Sequence, residues 1–299
     1  MDGFVHKIFA SINAKSPFHS FSLIKASTRF RLVYNSSWRT AMKQTVISFS
    51  IFFLAGIVFS TYVHETSGSN AADLTSLKQA LSSQEWIARE HAANEIGMIG
   101  VDAKEAIPSL IDCLGDEEWR VREAAANALT AMGREAKPAV PALINALQDE
   151  EWRVRQPAAY TLAAIGLASV PAVTALIVAL HDEEWHVRKP AAMALAALGP
   201  ASVSAVTALV SVLDDEEWQV RQPAADALAA LGPASKPALP ALIVLLGDEE
   251  WQVRKSAALA LGALGPAGQE AIPTLKKTRQ DSEEQVRKAA ADALDKIVK

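Results

Sequence analysis

The chain has 299 residues, 29 Lys and Arg against 34 Asp and Glu, a formal net charge of −5 and a single cysteine. One cysteine excludes an internal disulfide and any cysteine-built metal cluster. Charge is unevenly placed: residues 1–71 hold seven basic and two acidic side chains, leaving 22 and 32 in residues 72–299, so a leader of +5 precedes a body of −10. Such an acidic body argues against nucleic acid as its partner, because phosphate binding needs a basic stripe.

The first predicted element is Thr45 to Val63, 19 residues without a charge (TVISFSIFFLAGIVFSTYV). A bilayer-spanning helix needs about 20 apolar residues. Arg29, Arg31, Arg39 and Lys43 precede the stretch and the acidic body follows it, which by the positive-inside rule leaves the N-terminus in the cytoplasm. An uncleaved signal anchor and a cleaved secretory signal both fit. Met42-Lys43 reads as a signal start, which makes residues 1–41 an upstream extension of a mis-assigned start. The small-x-small site Ser69-Asn70-Ala71 lies about a dozen residues past the apolar run, far for a signal peptidase, and this favours the anchor. A third alternative is an organelle presequence, since residues 1–41 are Ser-rich, basic and poor in acids. Each alternative carries the body across a membrane, to the periplasm or its equivalent, with secretion following if cleavage occurs. The expected organisation is a basic segment at 1–44, the spanning or signal helix at 45–63, a linker at 64–72 containing the tether Thr66-Ser67-Gly68-Ser69-Asn70, and a repeat region at 73–299.

In that region Trp86, Trp119, Trp152, Trp185, Trp218 and Trp251 are each 33 residues apart, and an Arg three positions on keeps the step at Arg89, Arg122, Arg155, Arg188, Arg221, Arg254 and Arg287. A fixed period means stacked units forming one elongated body. In the unit from Ala136 to Gly166, Val140, Leu143, Ile144 and Leu147 fall at i, i+3, i+4 and i+7, one stripe of an amphipathic helix A. Pro138 and Pro141 sit in its first turns, Pro141 deep enough to bend it. Asp149-Glu150-Glu151 then supply the cap and first-turn acids of helix B, whose inner stripe is Val154, Ala158, Leu162 and Ile165 and whose stop is Gly166. Ala158, Ala159, Ala163 and Ala164 allow neighbouring helices close approach. Seven pairs are predicted, with helix B near 84–99, 117–132, 150–165, 183–198, 216–231, 249–264 and 282–298, and no strands. Ser82-Ser83-Gln84 at one end and Lys276, Lys277 and Arg279 at the other replace the regular pattern, as capping units require.

The phrase Pro141-Ala142-Leu143 through Leu147, Asp149, Val154-Arg155, Ala158, Ala159, Leu162 and Gly166 resembles the short HEAT-like repeats of the phycobilisome-lyase type. The resemblance covers residues from about 75 to 298 and implies an all-α fold, a right-handed α-solenoid of about seven two-helix repeats. A 33-residue period also belongs to ankyrin, whose Thr-Pro-Leu-His phrase is absent. Pro157, Pro190 and Pro223 depart from the pattern: inside helix B they are expected to kink it or split off its first turn, at about 3 kcal/mol each in an ordinary helix.

Three features are candidates for function. The Arg ladder, Arg122, Arg155, Arg188, Arg221, Arg254 and Arg287, is expected to be structural, pairing with the Asp of the interhelical turn; the resemblance implies that these bonds link adjacent repeats. The row Trp119, Trp152, Trp185, Trp218 and Trp251 suits either inter-repeat packing or a part-exposed binding strip. Finally, the units differ at Arg120, Arg153, His186, Gln219 and Gln252; at Glu123, Gln156, Lys189, Gln222 and Lys255; and at Asn127, Tyr160, Met193, Asp226 and Leu259. The spacing i, i+3, i+7 defines one helix B face, which the resemblance puts on the concave side, with Tyr160, Met193 and Leu259 as natural contacts for a protein partner.

Nothing in the chain reads as an active site, and no cofactor or metal is implied. The iron-binding HEAT-like hydroxylases use repeated His-Glu motifs, whereas His64-Glu65 is the sole example here; His181, Asp182 and His186 form a lone, incidental cluster. The expected function is therefore a non-enzymatic scaffold or adaptor at or beyond a membrane. The alternative, implied by resemblance alone, is a lyase-like or chaperone-like role in attaching bilins to phycobiliproteins.

Overall fold

The computed structural model describes residues 70–299; the segments expected at 1–44 and 45–63, and all of the linker before Asn70, lie outside the described residues. The first helix, Asn70–Ala80, begins three residues earlier than the expected start of the repeat region.

The described residues form an α-solenoid of seven helical hairpins, with no strand among them. Helices A after the first are short α segments, Ile107–Cys113, Val140–Ala146, Val173–Ala179, Val206–Ser211, Leu239–Leu245 and Ile272–Thr278. Each is preceded by a seven-residue 3-10 segment, such as Gly133–Ala139 before Val140. Helices B are Trp86–Ile99, Trp119–Met132, Trp152–Ile165, Trp185–Leu198, Trp218–Leu231, Trp251–Ala263 and Glu284–Val298. Each starts about two residues later than the acidic triplets suggest. Glu151 is the N-cap residue, with extended backbone (φ −91°, ψ 120°) and no capping bond from its own side chain; its amide donates instead to Asp149 Oδ1 at 3.0 Å. The acids therefore shape the turn before the helix and do not fill its first turn.

Two proline expectations change. Helix B runs unbroken from Trp152 to Ile165 with Pro157 buried inside it, and the same holds at Pro190 and Pro223. The ring removes one amide from the ladder, but its burial offsets the loss. Pro141 does not sit deep in a helix either. The α segment starts at Val140, so Pro141 occupies the first turn, where an amide has no partner to lose, and Pro138 lies in the 3-10 segment.

Helix B ends where Gly166 adopts φ 70° and ψ −138°, a region open essentially to glycine, and the chain folds back into the 3-10 segment. That reversal also explains three stretches apolar enough to cross a membrane by length and composition, among them Trp152–Ala179. Each comprises a helix B, a 3-10 turn and a helix A that pack on neighbouring repeats.

The core is the seam between the two layers. Val154, Ala158, Leu162 and Ile165 of helix B and Val140, Leu143 and Leu147 of helix A are all buried. Ala158 and Ala159 are buried as close approach requires, whereas Ala164 faces solvent. Successive helices B lie directly against one another, while successive helices A touch chiefly through the 3-10 segments between them. Among the described glycines the tightest approach is at Gly262, where a Cβ would stand 2.8 Å from Ala293 Cα. Helices B thus form one continuous layer, and the short helices A with their 3-10 segments form the other.

Candidate functional site

Two ladders run along the helix B starts. In the first, Arg122 Nε donates to Asp149 Oδ2 at 2.7 Å and Nη2 to Asp149 Oδ1 at 2.8 Å, a bidentate fork onto the next repeat. Its Nη1 donates to the carbonyls of Asp116 and Glu117 in its own turn, at 2.9 and 3.2 Å. Forks of this kind join Arg89 to Asp116, Arg155 to Asp182, Arg188 to Asp215, Arg221 to Asp248 and Arg254 to Asp281. Arg287, in the last repeat, keeps the carbonyl bonds to Asp281 and Ser282. The hydrogen bonds to Asp281 raise Arg254 above its ordinary value and hold the Asp281 carboxyl below the usual range. Each arginine from Arg89 to Arg254 is thus consumed in tying one repeat to the next.

The second ladder involves the tryptophans and the residue after each. Trp119, Trp152, Trp185, Trp218 and Trp251 are half-buried, and the first four pack on the core. Between them lie the side chains of the varying position. The Arg120 guanidinium sits 5.3 Å from the Trp86 ring centroid and 4.6 Å from that of Trp119; Arg153 lies 5.4 Å from Trp119 and 4.8 Å from Trp152. His186 continues the column, stacked 4.7 Å from Trp152 and 3.9 Å from Trp185. In the next two units the same position is Gln219 and Gln252, both half-buried. Their Oε1 atoms, with His186 Nδ1, are buried without a hydrogen-bond partner. The first four tryptophans therefore do two things at once: one part of each indole packs on the hairpins, and the remainder borders solvent.

Seven residues further along helix B stand Asn127, Tyr160, Met193, Asp226 and Leu259, with Asn127 and Met193 exposed and the others half-buried. Glu123, Gln156, Lys189, Gln222 and Lys255 lie between the two rows and are half-buried. The three varying rows thus form one accessible strip on the helix B layer. Partial burial there has an electrostatic effect: desolvation pushes the Asp226 carboxyl up, against the hydrogen bonds from Ser256 and Gln222 and the charge of Lys255. Burial likewise raises Glu123 and the Tyr160 phenol.

His181, Asp182 and His186 are not brought together. His181 Nε2 meets Ser211 Oγ at 3.0 Å, Asp182 accepts the Arg155 fork, and His186 is held in the indole column. Cys113 is a buried core residue whose Sγ points to the Leu81 carbonyl at 3.9 Å, and burial pushes its thiol up to about 11. The alternation of indole with guanidinium or imidazole across repeat boundaries was missed in the sequence. The signal lay in Arg120 and Arg153, each adjacent to a Trp at the repeat period. Exposed Val178 and Val244, on helices A, were also missed.

The chain matches the family described as HEAT repeats over residues 74–163, 140–229 and 206–295, windows that together span 74–295. Among solved structures it is similar to an engineered protein at a TM-score of 0.64 and 26% identity, covering 75% of this chain and 68% of that one. It is also similar to a designed armadillo repeat protein in complex with the peptide (KR)4, at a TM-score of 0.51 and 22% identity, covering 75% and 99%. No curated protein matches the chain.

Proposed function

The chain belongs to the HEAT-repeat family, and from that premise we propose that it is a non-enzymatic scaffold holding an extended segment of a partner protein along the exposed strip of its helices B. One observation carries the reading. Packing positions such as Val154, Ala158 and Leu162 recur almost unchanged from unit to unit, while the accessible positions beside them change in size, charge and polarity. Residues that only cover a solvated face have no need of half-buried indoles between them, and large aromatics in partly desolvated sites supply much of the energy of protein contacts. The designed armadillo array is in complex with the peptide (KR)4, so a stacked helical array of this kind can carry a peptide.

The location we propose is the non-cytoplasmic side of a membrane, supported by the uncharged run 45–63 and the basic residues before it. Changing Tyr160, Met193 and Leu259 together to Ser is expected to abolish partner capture from the native cell envelope while leaving the helical content and melting of the array nearly unchanged. Undiminished capture by the folded triple variant overturns the strip as the binding site.

A further inference from the structure

We propose that the Trp185–Trp218–Trp251 part of the indole column receives arginine or lysine side chains from an extended, basic peptide segment. This rests on the scaffold reading above and names the chemistry of its occupant.

The chain itself shows what belongs between these indoles. In the N-terminal half the gaps are filled by the guanidinium groups of Arg120 and Arg153, each within 5.4 Å of two ring centroids. A guanidinium over an indole face is attracted by the ring quadrupole, and an uncharged amide gains little of this. In the C-terminal half the position holds Gln219 and Gln252. Their Oε1 atoms are buried without a donor, a costly state for an amide oxygen. An incoming guanidinium or ammonium supplies a cation for the rings, and it can give the oxygens a donor once the two glutamine side chains turn outward to admit it.

Charge around the site favours the same occupant. Residues 182–264 hold 11 acidic and six basic side chains; with Asp182, Asp215 and Asp248 and with Arg188, Arg221 and Arg254 spent in the forks, eight acids remain against Lys189, Lys236 and Lys255. Glu184, Glu217 and Glu250 directly precede the three tryptophans, and the neighbouring Glu183 and Glu249 side chains are 85% and 83% exposed. An acidic segment, or a second copy of this acidic array, meets like charge there. Register also fits: packed helices lie about 8–10 Å apart, and a polyproline II chain returns a side chain to the same face about every 9 Å. A basic residue at every third position therefore meets successive repeats.

The test uses the purified full-length chain and two labelled nine-residue peptides, Arg-Pro-Ser and Glu-Pro-Ser each repeated three times, followed by fluorescence anisotropy. Binding of the basic peptide and none of the acidic one is expected. The Gln219→Arg/Gln252→Arg variant fills the column as Arg120 and Arg153 do, so it is expected to fold normally and to weaken binding at least about tenfold. Val178→Arg/Val244→Arg adds the same two charges on exposed helix A positions, and is expected to bind nearly as the parent does. Equal weakening in the two variants, equal binding of the two peptides, or no binding of the basic peptide overturns the inference. If the basic peptide fails while partner capture still depends on Tyr160, Met193 and Leu259, the scaffold reading stands and this inference alone falls.

Discussion

Arg155 reaches across a repeat boundary to grip both carboxylate oxygens of Asp182, at 2.7 and 2.8 Å, with each side chain about 10% exposed. Because the same arginine also holds two carbonyls of its own turn, one side chain fixes the turn's shape and the spacing to the next repeat. Truncating one member leaves the other charge desolvated and unpaired. Arg155→Ala or Asp182→Ala is expected to destabilise the array by about 3 kcal/mol. Hydrogen exchange should show the loss first in the turns around residues 149–151 and 182–184. Protection that falls evenly over all repeats counts against a local tie.

The same forks set the response to acid. Asp281 is held below the usual carboxylate range chiefly by the hydrogen bonds from Arg254. At Asp116 burial pushes upward, but the Arg89 fork, the Glu118 amide and the charges of Arg89 and Arg122 together outweigh it. A carboxyl whose folded value is lowered contributes stability that is present above its unfolded value, about 3.9, and is lost as pH falls through the lower folded value. Melting temperature should therefore hold near neutrality and drop below about pH 4.

Asp226 has the opposite sign. Burial raises its folded value, so its ionised form weakens the fold above that value and the penalty disappears as the carboxyl protonates. Asp226→Asn is expected to raise the melting temperature at pH 7 and to change it little at pH 3. An equal shift at both values contradicts desolvation as the cause.

Close approach of helices B predicts the behaviour of Gly262. Alanine gains about 1 kcal/mol over glycine in a helix interior, but its Cβ at this position stands 2.8 Å from the Ala293 backbone. Overpacking against backbone costs about 1–3 kcal/mol, so Gly262→Ala is expected to be destabilising in urea unfolding. A stabilised variant means that the last two repeats have room to separate.

Cys113 is expected to react with a thiol reagent only as fast as its repeat opens, since it is buried and burial pushes the thiol up to about 11. Stopped-flow labelling with increasing urea checks this, and rapid labelling of the native chain contradicts it.

Much of this architecture was legible because a stacked array repeats each decision. The 33-residue step located helix B, and apolar spacing at Val154, Ala158, Leu162 and Ile165 gave its buried stripe. What escaped depended on which partner a side chain takes in space. Asp149 looked like a helix cap, but a carboxylate shared between the Arg122 fork and the Glu151 amide shapes a turn, and the helix starts later. Pro157 looked like a break, since a local rule about lost amides cannot see the packing that holds the ring. The indole column lay across repeat boundaries, where sequence neighbours such as Trp152 and Arg153 are only half of each contact.

The central claim, that a partner lies along the exposed strip of helices B, is tested most directly by site-specific photocrosslinking in the native envelope. A photoreactive residue placed at Met193, on the strip, is compared with one at Val178, exposed on helix A. Partner crosslinks from position 193 and none from 178 are the expected result. Crosslinks from position 178 alone contradict the account.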